Sequence, residues 1–260
     1  NVDYIFIGDS FTEGACQSEK NTFAGYFREQ GKKIFNLGRG GTGPLFSFAT
    51  LVEYGGAVKT DTVLWFLFTG NDLHDLRNEK TTRLSAYMKE NYSQKLIAQN
   101  SLVGQNLSQF LDKQISKEQS RIVGAANVSN RGSTGNIGLY DSEAVLKERA
   151  GLLKVASRIK STANEMGAKL AIVIINHPRY RNFEIQNKTA DSIKQFSSEN
   201  NVPYLDFSID YLADNWDDFY TPGDPHFNET GYRIIGADVL SWINSKNLKS
   251  KVVLSELDLE

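Results

Sequence analysis

Ile5-Phe6-Ile7-Gly8-Asp9-Ser10-Phe11-Thr12-Glu13-Gly14 is the stretch on which the reading of this chain turns. Ile5, Phe6 and Ile7 form an unbroken apolar run, the pattern of a strand buried on both faces, and Gly8-Asp9-Ser10 ends it with turn residues. Such a strand delivers a serine into a turn, where the hydroxyl can act as a nucleophile. The pattern is not the Gly-x-Ser-x-Gly elbow of the α/β-hydrolases, so a role for Ser10 depends on what other segments bring to it. Capping the helix that comes next is the structural alternative for Ser10.

Comparable runs recur at 4–7, 33–37, 62–68, 169–175 and 202–205, alternating with helical patterns at 22–30, 44–54, 142–165, 189–200 and 229–244. This order predicts an α/β fold, a five-stranded parallel sheet whose right-handed crossovers place helices on both faces in a three-layer α/β/α sandwich. Ligands of open sheets collect outside the carboxyl ends of the strands. Ser10 and Asn71 each follow a strand end and therefore share one rim. His226 stands just before the last helix, with Asn228 as its N-cap, and can reach the same rim. Residues 79–141 break the alternation. They are polar, with helical stretches at 87–99 and 102–115 and turn residues at 130–136, which predicts an insertion with an exposed loop beside the site. No internal repeat or second core is visible, so 1–260 reads as one domain carrying that insertion.

With 260 residues, 40% hydrophobic and 11% aromatic, the chain can bury a core without covalent staples. A net charge of -2 and the lack of a Lys/Arg cluster leave no electrostatic footprint for nucleic acid or an anionic membrane surface. The longest apolar runs, 63–68 and 170–175, fall far short of the ~18 residues of a membrane span, so no membrane contact by this segment is expected. The single cysteine, Cys16, excludes an intrachain disulfide and a multi-thiolate zinc site, and reads as a small packing residue. Because the first residue is Asn1 and a core strand comes at once, the numbering is expected to start inside a longer product. A signal peptide, a membrane anchor and a preceding domain are all compatible with that start.

A serine hydroxyl is a weak nucleophile at neutral pH and needs a base within hydrogen-bond reach, itself held in one tautomer by a carboxylate. Ser10, His226 and Asp224 supply these types. Attack on an ester carbonyl builds negative charge on oxygen, and a well-placed donor stabilises it by roughly 2.7 to 4 kcal/mol. The candidates are the backbone N–H groups of Ser10 and Gly41 and the side-chain amide of Asn71. Gly38, Gly40, Gly41 and Gly43 suggest a phosphate loop only superficially, since the chain has no Gly-Lys-Ser/Thr after them; a tight turn with N–H groups facing the substrate fits better. Asp72 reads as the N-cap of the next helix. His74 and His177 read as loop or surface histidines, without ligand-spaced partners that would imply a metal, and Arg179 and Arg181 as solvated charge.

Taken in order, these blocks resemble the SGNH hydrolases, also called the GDSL esterase/lipase family. The nucleophile motif corresponds to Gly8-Asp9-Ser10-Phe11-Thr12-Glu13-Gly14, the glycine block to Asn36-Leu37-Gly38-Arg39-Gly40-Gly41-Thr42-Gly43, and a shortened Gly-x-Asn-Asp block to Thr69-Gly70-Asn71-Asp72. The resemblance covers nearly the whole chain outside the insertion. It implies a flavodoxin-like sandwich and a serine ester hydrolase with Ser10, Asp224 and His226 as catalytic residues. Ser10, Gly41 and Asn71 would form the oxyanion hole, with no cofactor and no metal.

The fourth block departs from the family's usual Asp-x-x-His, which would place the acid at Gly223; here Asp224 stands two residues before His226, with Pro225 between them. Two outcomes stay open. Asp224 completes a triad, or it points away and a backbone carbonyl orients the ring of a Ser-His dyad. Residues 36–51 with Tyr220-Thr221-Pro222 resemble bacterial members linked to glycan O-acetylation. That implies a short acyl ester, acetyl on a carbohydrate, as the substrate and an exported or periplasmic location. An O-acyltransferase using the same acyl-serine on a glycan acceptor is one alternative, and an inactive carbohydrate-binding module is another.

Overall fold

The computed structural model describes residues 1–97, 142–178, 183–214 and 216–246. The expected helix at 102–115, the turn segment at 130–136, Arg179 and Arg181 lie outside the described residues.

Strands β1 (Tyr4–Gly8), β2 (Ile34–Asn36), β3 (Thr62–Phe68), β4 (Lys169–Ile175) and β5 (Tyr204–Phe207) form one parallel sheet in the order β2-β1-β3-β4-β5. Gly8 lies opposite Phe66, and β3 pairs with β4 along its whole length, from Thr62 against Lys169 to Phe68 against Ile175. All seven residues of β3 are buried, as a central parallel strand covered on both faces requires.

The helices are α1 (Ser10–Glu13), α2 (Phe23–Glu29), α3 (Pro44–Tyr54), α4 (Asp72–Glu79), α5 (Ser142–Leu146), α6 (Arg149–Glu165), α7 (Phe183–Asn200), α8 (Ile209–Asp214), α9 (Trp216–Phe219) and α10 (Glu229–Ser245). Successive strand residues point to opposite faces. Ile5, Val63, Trp65 and Ile172 therefore pack with Phe48 of α3, Val155 of α6 and Ile193 of α7. Phe6, Leu64, Phe66 and Val173 pack with Phe23 and Phe27 of α2 and with Ile235 and Val239 of α10. This is the three-layer α/β/α sandwich that the alternating sequence predicts. The chain reverses direction across the sheet between β1 and β3, so a crevice opens outside their carboxyl ends, where Ser10 and Asn71 emerge. No helix among the described residues is long and apolar enough to cross a membrane.

Some boundaries differ from the expected ones for local reasons. Val202 is buried, but Pro203 has no N–H to give the ladder, and β5 starts at Tyr204. Helix α7 starts at Phe183 rather than at 189, because Ile185 and Gln186 are already buried. Of the helix expected at 87–99, the described part is α-helical only at 96–97. A 3-10 turn covers Arg83–Met88, and Glu53 holds the chain beyond it. Its Oε1 accepts from the Tyr87 hydroxyl at 2.8 Å and from Gln94 N–H at 2.6 Å, and its Oε2 accepts from Leu96 N–H at 2.9 Å. A buried carboxylate binds those N–H groups in place of helix carbonyls.

Candidate active site

Asp9, not Ser10, caps α1: its Oδ1 accepts the N–H of Phe11 at 3.0 Å. The Ser10 hydroxyl is left for other partners. Gly8, with φ +150°, lets this turn sit directly on the sheet, since a Cβ there would lie 2.1 Å from Thr12 Oγ1 and 2.5 Å from the carbonyl oxygen of Phe66.

The segment before α10 is built as a turn succeeded by an Asx turn. Pro222 and Gly223, the latter at φ +77°, occupy the two central positions, and Asp224 N–H donates to Thr221 C=O at 3.0 Å. This is the pattern of a type II turn, which needs a positive φ at its third residue and so accounts for glycine at 223. Asp224 then folds back across Pro225. Its Oδ1 accepts the backbone N–H of His226 at 2.9 Å and lies 2.6 Å from Nδ1 of the same residue. On the far side of the ring, Nε2 lies 2.7 Å from Ser10 Oγ. One protonation state satisfies all three contacts: Nδ1–H donates to Asp224 and Nε2 accepts from the Ser10 hydroxyl. Phe11 packs against the imidazole, ring centroids 5.1 Å apart. Burial works against the Asp224 carboxylate, but hydrogen bonds from the His226 backbone and ring outweigh it and hold its pKa below the ordinary value.

The glycine block stands beside Ser10. A Cβ on Gly40 would lie 3.5 Å from Ser10 Cβ, and Gly41 adopts φ +72°. Carboxylates fix both ends of the turn. Gly40 N–H donates to Glu13 Oε2 at 2.7 Å, and the N–H groups of Gly43 and Leu45 donate to Glu79 Oε1 and Oε2 at 2.6 and 2.9 Å. Glu79 thereby serves the first turn of α3, where Pro44 has no N–H to offer. Asn71 precedes α4, makes no side-chain cap bond, and has its Oδ1 buried with no hydrogen-bond partner among the described residues.

Asp72 is not the N-cap expected from the sequence. It is the first residue of α4, is buried, and its Oδ2 accepts the N–H of Phe68 at 2.9 Å, tying the helix to the end of β3. Asp9 lies close enough to repel it. Burial, with repulsion from Asp75, pushes Asp9 up to about 7 against the pull of backbone N–H groups at Phe11 and Ser10. Burial and then Asp9 and Asp75 push Asp72 up as well.

Two residues differ from their expected surroundings. His177 is buried rather than a surface histidine: Nε2 lies 3.2 Å from Pro225 C=O, and the ring packs edge-on against Tyr220 at 4.9 Å. Gln186 holds its backbone, accepting from His177 N–H at 2.7 Å and donating to its carbonyl at 3.0 Å. His177 therefore clamps the residue between Asp224 and His226. His177→Phe, which keeps the ring packing and loses that bond, is expected to lower kcat on a chromogenic ester about tenfold with KM little changed, because small misplacements of a base are costly. Steady-state kinetics alongside a melting curve would check this. Cys16 is exposed rather than packed, sits at φ +66°, and places Sγ 3.9 Å from His226 Nδ1.

A serine at a strand end, an imidazole at hydrogen-bond distance and a carboxylate behind it, on the rim of a parallel sheet, form the type of site used by serine ester hydrolases. The sequence profile of the GDSL-like lipase/acylhydrolase family matches residues 6–234. The chain belongs to that family and is a serine ester hydrolase of the SGNH class.

Solved structures of similar fold include TesA, 11% identical, with a TM-score of 0.57 over 95% of this chain and 99% of that one. The psychrotrophic esterase EstA from Pseudoalteromonas sp. is 11% identical, with a TM-score of 0.52 over 95% and 99%. The acetyl xylan esterase AlAXEase is 12% identical, with a TM-score of 0.50 over 93% and 100%. At these identities the likeness is one of fold. No curated protein matches the sequence.

Proposed function

We propose that the chain hydrolyses short acyl esters, acetyl above all, carried on a carbohydrate, through an acyl-serine intermediate. The observation that carries the proposal is the continuous path from Ser10 Oγ to His226 Nε2 at 2.7 Å and from His226 Nδ1 to Asp224 Oδ1 at 2.6 Å. Ser10 Oγ attacks the ester carbonyl while His226 Nε2 takes its proton, and Asp224 stabilises the imidazolium that results. The N–H groups of Ser10 and Gly41 and the amide of Asn71 receive the oxyanion, each contributing roughly 2.7 to 4 kcal/mol in such a site. Collapse expels the sugar alcohol, which takes the proton from Nε2, and a water molecule repeats the sequence on the acyl-serine.

A hydroxyl-rich substrate is supported by a polar cavity of about 490 Å³ at the carboxyl ends of β4 and β5, with Asn176, Asn187, Asp191, Lys194 and Asp206 in its wall. Asn176 Oδ1 accepts from the hydroxyl of Thr69, two residues before Asn71, at 2.7 Å. We take the whole chain as one domain, because Tyr87, inside the polar insertion, and Val145, just after it, enter the same hydrophobic cluster.

A fluorophosphonate probe on the intact protein is expected to leave its adduct on Ser10, read by peptide mass spectrometry, and to abolish hydrolysis of p-nitrophenyl acetate. Hydrolysis that continues without an adduct would overturn the acyl-serine. An adduct combined with no acetate release from acetylated xylo-oligosaccharides would overturn the xylan-type glycan ester as substrate.

A further inference from the structure

The geometry points to a binding site for a thiophilic divalent cation of the zinc type, formed by Cys16, Asp224 and His226, at which the cation switches hydrolysis off by capturing the Nδ1 face of the base. Binding at this site is independent of the proposed mechanism; the switching rests on it.

One ligand atom from each residue, the Cys16 Sγ, a carboxylate oxygen of Asp224 and a ring nitrogen of His226, lies within 4.8 Å of the other two. Sγ and Nδ1 are 3.9 Å apart, and Nδ1 and Asp224 Oδ1 are 2.6 Å apart. Tetrahedral zinc, with bonds of about 2.3 Å to sulfur and about 2.0 to 2.2 Å to nitrogen and oxygen, holds such donors roughly 3.4 to 3.6 Å from one another. The two spans that involve Nδ1 therefore each need a change of less than about 1 Å, within reach of side-chain rotation. The site is open to solvent on the sulfur side, because Cys16 is exposed and the Asp224 and His226 side chains are 35% and 19% exposed. Cys16 holds a left-handed backbone at φ +66° just past Gly14, the C-cap of α1, and this turns its thiol toward the Asp224-Pro225-His226 segment.

The bonding balances without a further reactant. Sulfur, nitrogen and oxygen each give one lone pair to the metal, and a water molecule fills the fourth position. The thiol releases its proton to solvent, and the carboxylate and thiolate together match the double positive charge. The one ring proton of neutral His226 leaves Nδ1 and comes to rest on Nε2. An imidazole protonated at Nε2 presents a donor to Ser10 Oγ and cannot take the serine proton. A metal on this face thus imposes the unproductive tautomer without touching Ser10. Magnesium and calcium, which prefer all-oxygen shells, have little affinity for such a donor set.

Cobalt(II) added to the intact protein tests the site directly. A thiolate-to-cobalt charge-transfer band is expected in the wild type and not in Cys16→Ser. Zinc is expected to lower p-nitrophenyl acetate hydrolysis at least about tenfold, since the wrong tautomer disables the base, with a chelator restoring the rate and magnesium having no effect. Each protein is compared with its own rate in chelator, and Cys16→Ser is expected to need far more zinc. Absence of the cobalt–thiolate band overturns the site, and equal zinc sensitivity of Cys16→Ser does the same. A band accompanied by unchanged hydrolysis in zinc overturns the switch. A protein with no esterase activity even in chelator would sink the esterase reading and the switch with it, while the cobalt band would still decide the site.

Discussion

Asp224→Asn is expected to lower kcat on p-nitrophenyl acetate about 10⁴-fold, the scale of loss when a triad histidine is held in the wrong tautomer, while the protein still melts cooperatively. The turn survives the change: its closing bond, Asp224 N–H to Thr221 C=O, is main chain. Asp224 Oδ1 accepts both the backbone N–H of His226 at 2.9 Å and its ring proton, with Nδ1 at 2.6 Å, so one atom of the asparagine amide takes both places. With the NH₂ there, the ring proton is displaced to Nε2, which meets Ser10 Oγ as a donor; with the oxygen there, both bonds survive but the charge that stabilises the imidazolium is gone. Were Asp224 only a turn residue, asparagine, an equally good Asx-turn former, would cost less than tenfold; that result would reduce the site to a Ser-His dyad. Because the members of a triad act as a unit, Ser10→Ala combined with Asp224→Asn should be no slower than Ser10→Ala alone, and a further loss would show that Asp224 acts outside the triad.

The parts of this molecule legible in the sequence are those whose cause is local. The bounds of β3 and β4, at 62–68 and 169–175, and of α3, at 44–54, can be read directly, because Asp61 and Gly70 flank one apolar run and Pro44 marks the start of the helix. Ser10, Gly41, Asn71 and His226 fall on one rim because each comes after a strand or precedes a helix. The positions that escape the sequence depend on contacts across the chain. Asp72 looks like a cap because Asp is a good capping type, yet the N–H of Phe68 claims it from four residues back. His177 looks like a surface residue because histidine is polar; Pro225 and Tyr220, far away in sequence, bury it. Cys16 looks like a packing residue, and its neighbour His226 is 210 positions distant. Glu13 and Glu79 give no signal at all, since their partners are backbone N–H groups in the glycine block.

Asp9→Asn is expected to stabilise the fold at pH 8 by on the order of 4 kcal/mol and to do little at pH 4. Asp9 is 2% exposed, and its Oδ2 has no hydrogen-bond partner among the described residues, so a full charge there is poorly compensated. Burial lifts its pKa from 3.8 to about 7. Between these values the folded state binds a proton that the unfolded state has released, so stability falls as pH rises through that window and levels off above it. At about 1.4 kcal/mol per unit, the shift corresponds to the magnitude given. Asparagine carries no charge at any pH and can still accept the Phe11 N–H that caps α1, so the gain over wild type should grow with pH, as measured by urea unfolding of both proteins across the range. The carboxyls of Asp72, Asp75 and Glu79 are raised by burial in the same region, and His74 is the partner that pulls Asp75 down. Asp9 is one of the charges that raise Asp72, so the variant should also titrate Asp72 at lower pH, visible in carboxyl ¹³C shifts. A loss of stability equal at pH 4 and pH 8 would mean that Asp9 is ionised in the fold and serves as a charged cap, and the buried carboxyls beneath Ser10 would then have to find their compensation in groups other than a retained proton.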